Sequence, residues 1–362
     1  MLSNIVVTHS PHISKPMSTR SVMLDVIIGL VPALIAAVYF FHTSALILLG
    51  ACIIAAVVTE FLSNIIRAKQ RPWESVTDLS AVLTAVILAM SLPPACPWWA
   101  AVVGTVFAIA IGKMVYGGLG ANVFNPAMLG RTFLALSFGQ MMTTFTVPAP
   151  IDACMSVISP AQVDARTQAT PLGWSKEAIK ANIKSGVYAA EGDDPAAEQA
   201  KQKAENAALT VNNQLVSTVT GAVGGCLGET SALMLILGGI YMLWRRAISF
   251  HIPLAVLTGA FVFGCAEYFA NPHTSMTPWT HLCSGGLLMC AFFIATDPVT
   301  APFTKRGMWI FGLGIGFLIM LIRVVGSYPE GVMFAVLFMN ALTPLIDRLC
   351  KKVPAGGKPS NG

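Results

Sequence analysis

Apolar residues occur along this chain in ten long runs separated by shorter polar connections. A hydrocarbon core of roughly 30 Å is crossed by about 20 residues of helix, so runs near that length predict transmembrane helices. The five runs of the first half lie near residues 22–41, 45–66, 78–93, 98–118 and 126–146, and those of the second half near 229–244, 252–270, 281–296, 309–326 and 331–347. The pattern predicts an all-α integral membrane protein with about ten transmembrane helices.

A long polar stretch lies between the two sets of runs. Residues 211–228, just after it, are interpreted either as a re-entrant segment or as an extension of the sixth helix. Prolines at the ends of the third and eighth runs predict that these two helices are broken or short. The predicted division is an N-terminal segment 1–21, a first five-helix repeat 22–146, a loop 147–210, a second five-helix repeat 211–349 and a tail 350–362.

The lysines and arginines predict the orientation, because short cytoplasmic connections are enriched in basic residues. With a cytoplasmic N-terminus, the short external connections contain no Lys or Arg, and loop 147–210 is external. Both termini are then cytoplasmic. The cytoplasmic segments collect Lys15, Arg20, Arg67, Lys69, Arg71, Lys113, Arg245, Arg246, Lys305, Arg306, Arg348, Lys351, Lys352 and Lys358.

Composition supports the membrane class and excludes several others. Of the 362 residues 55% are hydrophobic and 11% charged, and the mean hydropathy is +0.70, whereas soluble domains carry about 25% charged residues. No basic run indicates a nucleic-acid partner, although the formal net charge is +5. None of the eight cysteines forms a CxxC pair, so no iron–sulfur site is predicted. No cleavable signal peptide is expected.

The two halves of the chain share a faint internal repeat. The segment LSAVLTAVILAMSLPP (79–94) precedes a helix that ends in IGKMVYGGLGANVFNP (111–126), and CSGGLLMCAFFIATDPV (283–299) precedes one that ends in LIRVVGSYPEGVMFA (321–335). Five spans is an odd number, so the second copy would be inverted relative to the first. Inverted repeats with broken helices are typical of transporters, but the shared Gly and Ala content of membrane helices also produces faint similarity.

Charged residues at membrane depth are candidates for function because they are costly to bury there. Lys113, Asp297 and Glu229 lie near predicted helix ends, where snorkelling or capping is the favoured interpretation. Arg131 and Arg323 lie deeper, and each guanidinium suits either a phosphate or carboxylate ligand or an ion pair with a span glutamate. The full set of candidates is Asp25, Glu60, Lys113, Arg131, Glu229, Glu267, Asp297 and Arg323.

Two short segments suggest chemistry. In GGCLGETS (224–231), glycines come directly before a helix that opens with Glu229 and Thr230, and a helix N-terminus of this kind can bind an anion or cofactor. In the external loop, Thr170 of DARTQATPL (164–172) is followed by Pro171, which favours an extended, accessible conformation. A hydroxyl can be esterified to a phosphate by a modifying enzyme, but most loop threonines are never modified, so the residues alone do not predict a modification here.

Several motifs in order resemble one family over nearly the whole chain, with the weakest match near 185–210. SPHISKPMSTRSVMLDVIIGLVPA, YGGLGANVFNPAMLGR, TQATPL and ATDPVTAPFTKRG…GSYPEGVMFAVLFMNALTPLID are similar to the D subunit of the Rnf complex, the ion-translocating ferredoxin:NAD⁺ oxidoreductase. That protein is itself similar to the B subunit of the sodium-pumping NADH:quinone oxidoreductase. The resemblance implies a bacterial inner (cytoplasmic) membrane protein that works with the A, B, C, E and G subunits of the Rnf complex to couple electron transfer to outward Na⁺ or H⁺ translocation.

The resemblance also implies a covalent flavin. In the family, a flavin transferase links FMN by a phosphoester to a threonine in an external loop, within the motif D-x-x-[ST]-G-A-T. This motif corresponds to Asp164, Thr167, Ala169 and Thr170, with Thr170 as the attachment residue, and the chain departs from it at Gln168. Arg131, Glu229 and Thr230 are expected as further flavin neighbours. The similarity to the quinone reductase implies a second, non-covalent flavin, riboflavin, for which no motif is found.

Two alternatives to a redox subunit fit the same architecture. An inverted repeat with broken helices is also how channel-like solute transporters without a redox cofactor are built. A scaffold that only positions partner subunits is the third interpretation. Covalent flavin at Thr170 distinguishes the redox subunit from both alternatives.

Overall fold

The computed structural model describes residues 18–67, 73, 75–146, 170, 172–173, 176, 215–221, 223–270, 275–326, 328 and 330–350. These residues form helices and turns, and no extended strand occurs among them. Asp164, Thr167 and Ala169, which the resemblance assigns to the flavin motif, lie outside this described part. The all-helical class predicted from the sequence is confirmed for the described residues.

The described helices differ widely in length, from 3 residues to 48. The first half contains α1 (Thr19–Ile66), α2 (Ser80–Met90), α3 (Trp98–Ile109, continued by a π turn, Ala110–Met114), α4 (Pro126–Ser137) and α5 (Gly139–Met142). The second contains α6 (Leu215–Thr220), a 3₁₀ turn (Leu227–Glu229), α7 (Ala232–Trp244), α8 (His251–Ala270), α9 (Pro278–Cys283), α10 (Leu287–Met289, continued by a π turn, Cys290–Ile294), α11 (Lys305–Val324) and α12 (Val332–Leu349).

Four of the described helices are long and apolar enough to cross a membrane, namely α1, α8, α11 and α12. Helix α1 contains 48 residues, whereas about 20 residues of helix cross a hydrocarbon core of roughly 30 Å. His42 interrupts it with φ 49° and ψ −126°, at the boundary predicted between the first two spans. The helices confirm a multi-pass membrane protein, while the count of ten spans stays a prediction.

The broken helices meet inside the bundle. Helix α2 ends at Met90, ahead of Pro93 and Pro94, as the prolines predicted. The backbone N–H of Leu227 in the 3₁₀ turn donates to the carbonyl of Leu92 at 3.0 Å. A Cβ atom on Gly228 would lie 2.9 Å from the Met90 carbonyl oxygen, so only glycine permits this approach. The 3₁₀ turn therefore packs directly against the end of α2.

Glycines also bring α1 and α7 into close contact, as small residues do between membrane helices. A Cβ atom added to Gly238 of α7 would overlap with the carbonyl oxygen of Gly29 in α1. A Cβ atom on Gly29 would in turn lie 3.0 Å from Cγ of Met242. The two backbones therefore approach as closely as the absence of side chains allows.

We expect Gly238→Ala to destabilise the folded protein by about 1–3 kcal/mol, the usual cost of overpacking a close contact. Gly50→Ala is the matched control, because no atom lies within 4 Å of a Cβ at that position of α1. Thermal unfolding of the two variants in the same detergent measures the difference. Equal melting temperatures for Gly238→Ala and Gly50→Ala would contradict the contact.

Candidate functional site

Thr170 lies at the edge of a cleft of about 330 Å³ formed by both halves of the chain. The side chain is only 7% exposed, so the prediction that Thr170 is accessible in this loop was wrong. Its Oγ1 accepts a hydrogen bond of 3.0 Å from the backbone N–H of Gly173. The other residues that line the cleft are Phe145, Leu172, Thr218, Val223, Gly224, Glu229, Gly285 and Glu330.

The described residues Thr170, Leu172, Gly173 and Lys176 are called the Thr170 segment here. Two contacts hold this segment against the bundle. Leu172 is 3% exposed and packs with Met276, and its Cδ1 occupies the space that a Cβ on Gly285 would need. The Nζ of Lys176 donates to the carbonyl oxygens of Gly326, at 2.6 Å, and Tyr328. One contact is apolar and the other charged, and together they anchor the segment at two separate points.

Two half-buried glutamates form a common wall between this cleft and a deeper cavity. Glu229 and Glu330 line the cleft and also a neighbouring cavity of about 360 Å³. Glu229 Oε2 accepts from the backbone N–H of Cys226 at 3.3 Å, and Glu330 Oε1 accepts from that of Gly286 at 3.1 Å. The capping role predicted for Glu229 is therefore confirmed, and each carboxyl group is tied to a turn of the second half.

Arg131 lines the deeper cavity together with the two glutamates. The residue is 6% exposed, its Nη2 lies 3.9 Å from Sγ of Cys226, and its Nη1 has no hydrogen-bond partner among the described residues. A buried guanidinium N–H without a partner is costly, so this atom suits a polar group of a ligand. The alternative pairing with Glu60 or Glu267 does not occur, because each of these carboxylates faces a different base, as described below.

Three of the sequence candidates therefore come together around the two cavities, namely Thr170, Glu229 and Arg131. Thr230 is buried beside them, but its hydroxyl donates to the Leu227 carbonyl at 3.0 Å and supports the 3₁₀ turn instead of lining a cavity. Glu330 was missed by the sequence analysis. Its position between a proline and a glycine in GSYPEG was interpreted only as a turn, and an acidic residue in a turn has no distinctive signal.

The other buried charges are paired within the bundle. Nζ of Lys113 lies 2.7 Å from Oε1 of Glu60 and donates to Oγ of Ser80 at 2.6 Å, with Lys113 only 2% exposed. The snorkelling interpretation of Lys113 was therefore wrong. Arg323 donates from its two terminal nitrogens to the carbonyls of His281 and Ser284, each at 2.8 Å.

The remaining candidates form local contacts. Glu267 lies beside His281, with 3.3 Å between Oε2 and Nε2 but no hydrogen bond between them, and Arg323 bonds to backbone carbonyls instead of to Glu267. Asp25 at the start of α1 pairs with Arg245 at the end of α7, at 3.2 Å. Asp297 accepts from the Val299 N–H and from the Thr300 hydroxyl, each at 3.2 Å, within a turn. The next helix begins at Lys305 with Thr304 as its N-cap, so the capping role predicted for Asp297 is not confirmed.

A larger cavity of about 700 Å³ lies elsewhere in the bundle and shares no lining residue with the Thr170 cleft. Residues of α1, α2 and both π turns line it. Asn122 and Asn125 line the larger cavity, and Oδ1 of Asn122 has no hydrogen-bond partner in the described part of the chain. The other polar lining residues are Ser80, Thr84, Lys113, Thr296 and Asp297.

Comparison with known proteins identifies the family. Residues 6–356 match the model of the NQR2, RnfD, RnfE family. The chain is 38% identical over 350 residues to the D subunit of the Na(+)-translocating ferredoxin:NAD(+) oxidoreductase complex of Acetobacterium woodii, covering 96% of this chain and 94% of that protein. It is 39% identical over 353 residues to the D subunit of the ion-translocating oxidoreductase complex of Yersinia enterocolitica, covering 94% and 95%. This agreement over almost the full length establishes that the chain belongs to the NQR2, RnfD, RnfE family.

Proposed function

We propose that this chain is the flavin-carrying membrane component, the D subunit, of an ion-translocating ferredoxin:NAD⁺ oxidoreductase, with FMN esterified to Thr170. The names of the relatives, which are D subunits of ion-translocating oxidoreductase complexes, support the assignment of this chain to such a complex. The main support for the flavin is the position of Thr170 in a cleft lined by Glu229 and Glu330. The same two glutamates also line a cavity with Arg131, whose Nη1 has no hydrogen-bond partner among the described residues.

The residues around the two cavities fit a flavin. Small-molecule sites are mostly apolar with a few precisely placed polar groups, and here Phe145, Leu172 and Val223 supply apolar walls. The polar edge of a flavin ring alternates carbonyl acceptors with an N–H donor, so Arg131 can donate to it and a carboxylate can accept from it. When bound, FMN supplies electron-transfer chemistry, whose potential nearby charges and hydrogen bonds adjust.

The proposal includes a topology and partners. Thr170 lies on the external face of a bacterial inner membrane, both termini are cytoplasmic, and the chain assembles with the A, B, C, E and G subunits after modification by a flavin transferase. The Lys and Arg distribution supports this orientation, as does the location of basic Lys305 and Arg306 at the end of α11 opposite to the Thr170 cleft. The coupled ion is Na⁺ or H⁺.

We also propose the ten-span architecture with two inverted five-helix repeats. Corresponding parts of the two halves carry corresponding residues: a glutamate in the second span, a serine near the start of the third and a base near the end of the fourth. In the first half Glu60, Ser80 and Lys113 are in contact. In the second half the corresponding residues are Glu267, Ser284 and Arg323, of which Arg323 bonds to Ser284. A solute transporter could share this arrangement, but it has no need of a flavin on Thr170.

The proposal is tested by the mass and fluorescence of the purified protein. Co-expressed with its flavin transferase, the chain is expected to give an ultraviolet-fluorescent band in a denaturing gel and an intact mass increased by one esterified FMN. Peptide mapping is expected to place the added mass on the fragment that contains Thr170. A dark band and an unmodified mass under these conditions would favour a transporter or a scaffold.

We propose that the 700 Å³ cavity holds the second, non-covalent flavin, riboflavin, and that Asn122 contributes one hydrogen bond to it. The unpartnered Oδ1 of Asn122 supports this assignment, because a buried acceptor without a donor costs about 1–3 kcal/mol. We expect Asn122→Leu to reduce acid-extractable riboflavin by about tenfold, the equivalent of about 1.4 kcal/mol. The covalent fluorescence should be unchanged. Unchanged extractable riboflavin in this variant would remove the cavity as its site.

A further inference from the structure

Lys176 connects the segment that carries Thr170 to the connection between α11 and α12. Its ammonium group donates to the carbonyl oxygens of Gly326 and Tyr328. These carbonyls follow directly on α11, which ends at Val324, where the backbone N–H of Gly326 still bonds back to the Ile322 carbonyl at 3.0 Å. The lysine therefore bonds to the connection just beyond the C-terminal end of α11.

A cation is favoured at this position for two physical reasons. The C-terminal end of a helix carries a partial negative charge, and α11 ends close by, at Val324. Hydrogen bonds from an ammonium group are also stronger than those from a neutral donor. Lys176 and Gly326 are 150 residues apart in the sequence, so the contact fixes the segment against a distant part of the fold.

The connection that Lys176 contacts also forms part of the cleft. It leads directly to Glu330, which lines the cleft and accepts the Gly286 N–H. Leu172, on the other side of the contact, fills the space above Gly285. One apolar contact, from Leu172, and one charged contact, from Lys176, therefore fix the position of Thr170 relative to Glu330.

We propose that Lys176 is a positioning residue that holds the Thr170 segment over the cleft, so that a group attached at Thr170 enters the cleft instead of facing water. The attachment is part of the proposed function, and the position of the segment is a property of the polypeptide itself. Lys176 takes no part in forming the bond to Thr170. Lys176 acts only through its hydrogen bonds to the carbonyl oxygens of Gly326 and Tyr328.

The first experiment uses protein made without the flavin transferase, so it does not depend on a flavin. In Lys176→Met we expect amide hydrogen exchange at Gly173 to be about tenfold faster than in the wild type, because local opening becomes easier. Lys176→Arg retains the positive charge and should restore slow exchange. Lys305→Met removes an exposed lysine from the opposite end of α11 and should have no effect. Equal exchange in Lys176→Met and the wild type would overturn the proposal.

The second experiment uses the full complex after modification. We expect Lys176→Met to keep covalent fluorescence in a denaturing gel, whereas iodide should quench the flavin of the native complex several-fold more strongly than in the wild type and in Lys176→Arg. Loss of covalent loading in Lys176→Met would overturn the positioning role, since Lys176 would then act in attachment. A dark wild-type band would refute the flavin at Thr170 and leave the exchange experiment as the test of Lys176.

Discussion

Replacement of Thr170 by valine is expected to remove covalent flavin fluorescence completely, while the protein still folds and inserts into the membrane. Valine nearly matches threonine in shape and is also β-branched, so it fits the same 7%-exposed position. It lacks the oxygen to which the phosphate would be esterified, and no other atom of the side chain can form that bond. The change also removes the acceptor of the Gly173 N–H, which costs about 1–3 kcal/mol locally.

Two controls separate loss of the attachment atom from damage to the cleft. Thr170→Ser retains a hydroxyl and the acceptor for Gly173, so fluorescence should remain. Thr218→Val changes a threonine that also lines the cleft and is 3% exposed, and fluorescence should again remain. In-gel fluorescence with an immunoblot for the amount of protein measures all three variants. A fluorescent Thr170→Val band at wild-type intensity would place the flavin on another residue.

The sequence predicted where the helices are interrupted better than which residues meet. Pro93 and Pro94 marked the end of α2, because a proline acts on its own segment. The gap between the apolar runs 22–41 and 45–66 marked the break at His42. Contacts between residues on different helices are harder to predict than helix ends. Arg131, Glu229 and Glu330 lie on separate parts of the chain, and hydropathy gives the depth of a residue in the membrane without its direction.

The wrong interpretation of Lys113 as a snorkelling residue has the same cause, because hydropathy does not show the direction in which a side chain points. A lysine at a predicted helix end normally reaches water along its flexible side chain. Here the π turn Ala110–Met114 carries Lys113, and its ammonium group bonds to Glu60 inside the bundle. A π turn adds a residue to the helical turn and so changes the direction of the side chains that follow. Neither the turn nor its partner was visible in the spacing of apolar residues.

Replacement of Lys113 by methionine is expected to be among the most destabilising single changes in the described part of the chain, by about 3–5 kcal/mol, because it leaves one partner of a buried ion pair without the other. Glu60 is fully buried, and its Oε2 already has no hydrogen-bond partner among the described residues. Without Lys113, the carboxylate would lose the charged contact at 2.7 Å to its Oε1. Thermal unfolding of the purified protein in detergent measures the loss.

The double variant Glu60→Gln/Lys113→Met distinguishes an unpaired charge from a packing defect. Removing both charges should recover a large part of the stability, since replacing a buried ion pair by neutral residues of similar size is often close to neutral. Lys305→Met, an exposed lysine on α11, should leave the melting temperature unchanged. If the double variant is as unstable as Lys113→Met alone, the ion pair is not the cause, and the effect belongs to the fit of the lysine side chain beside Ser80. Because Lys113 also lines the 700 Å³ cavity, recovery of stability without recovery of extractable riboflavin would separate its role in folding from a role in that cavity.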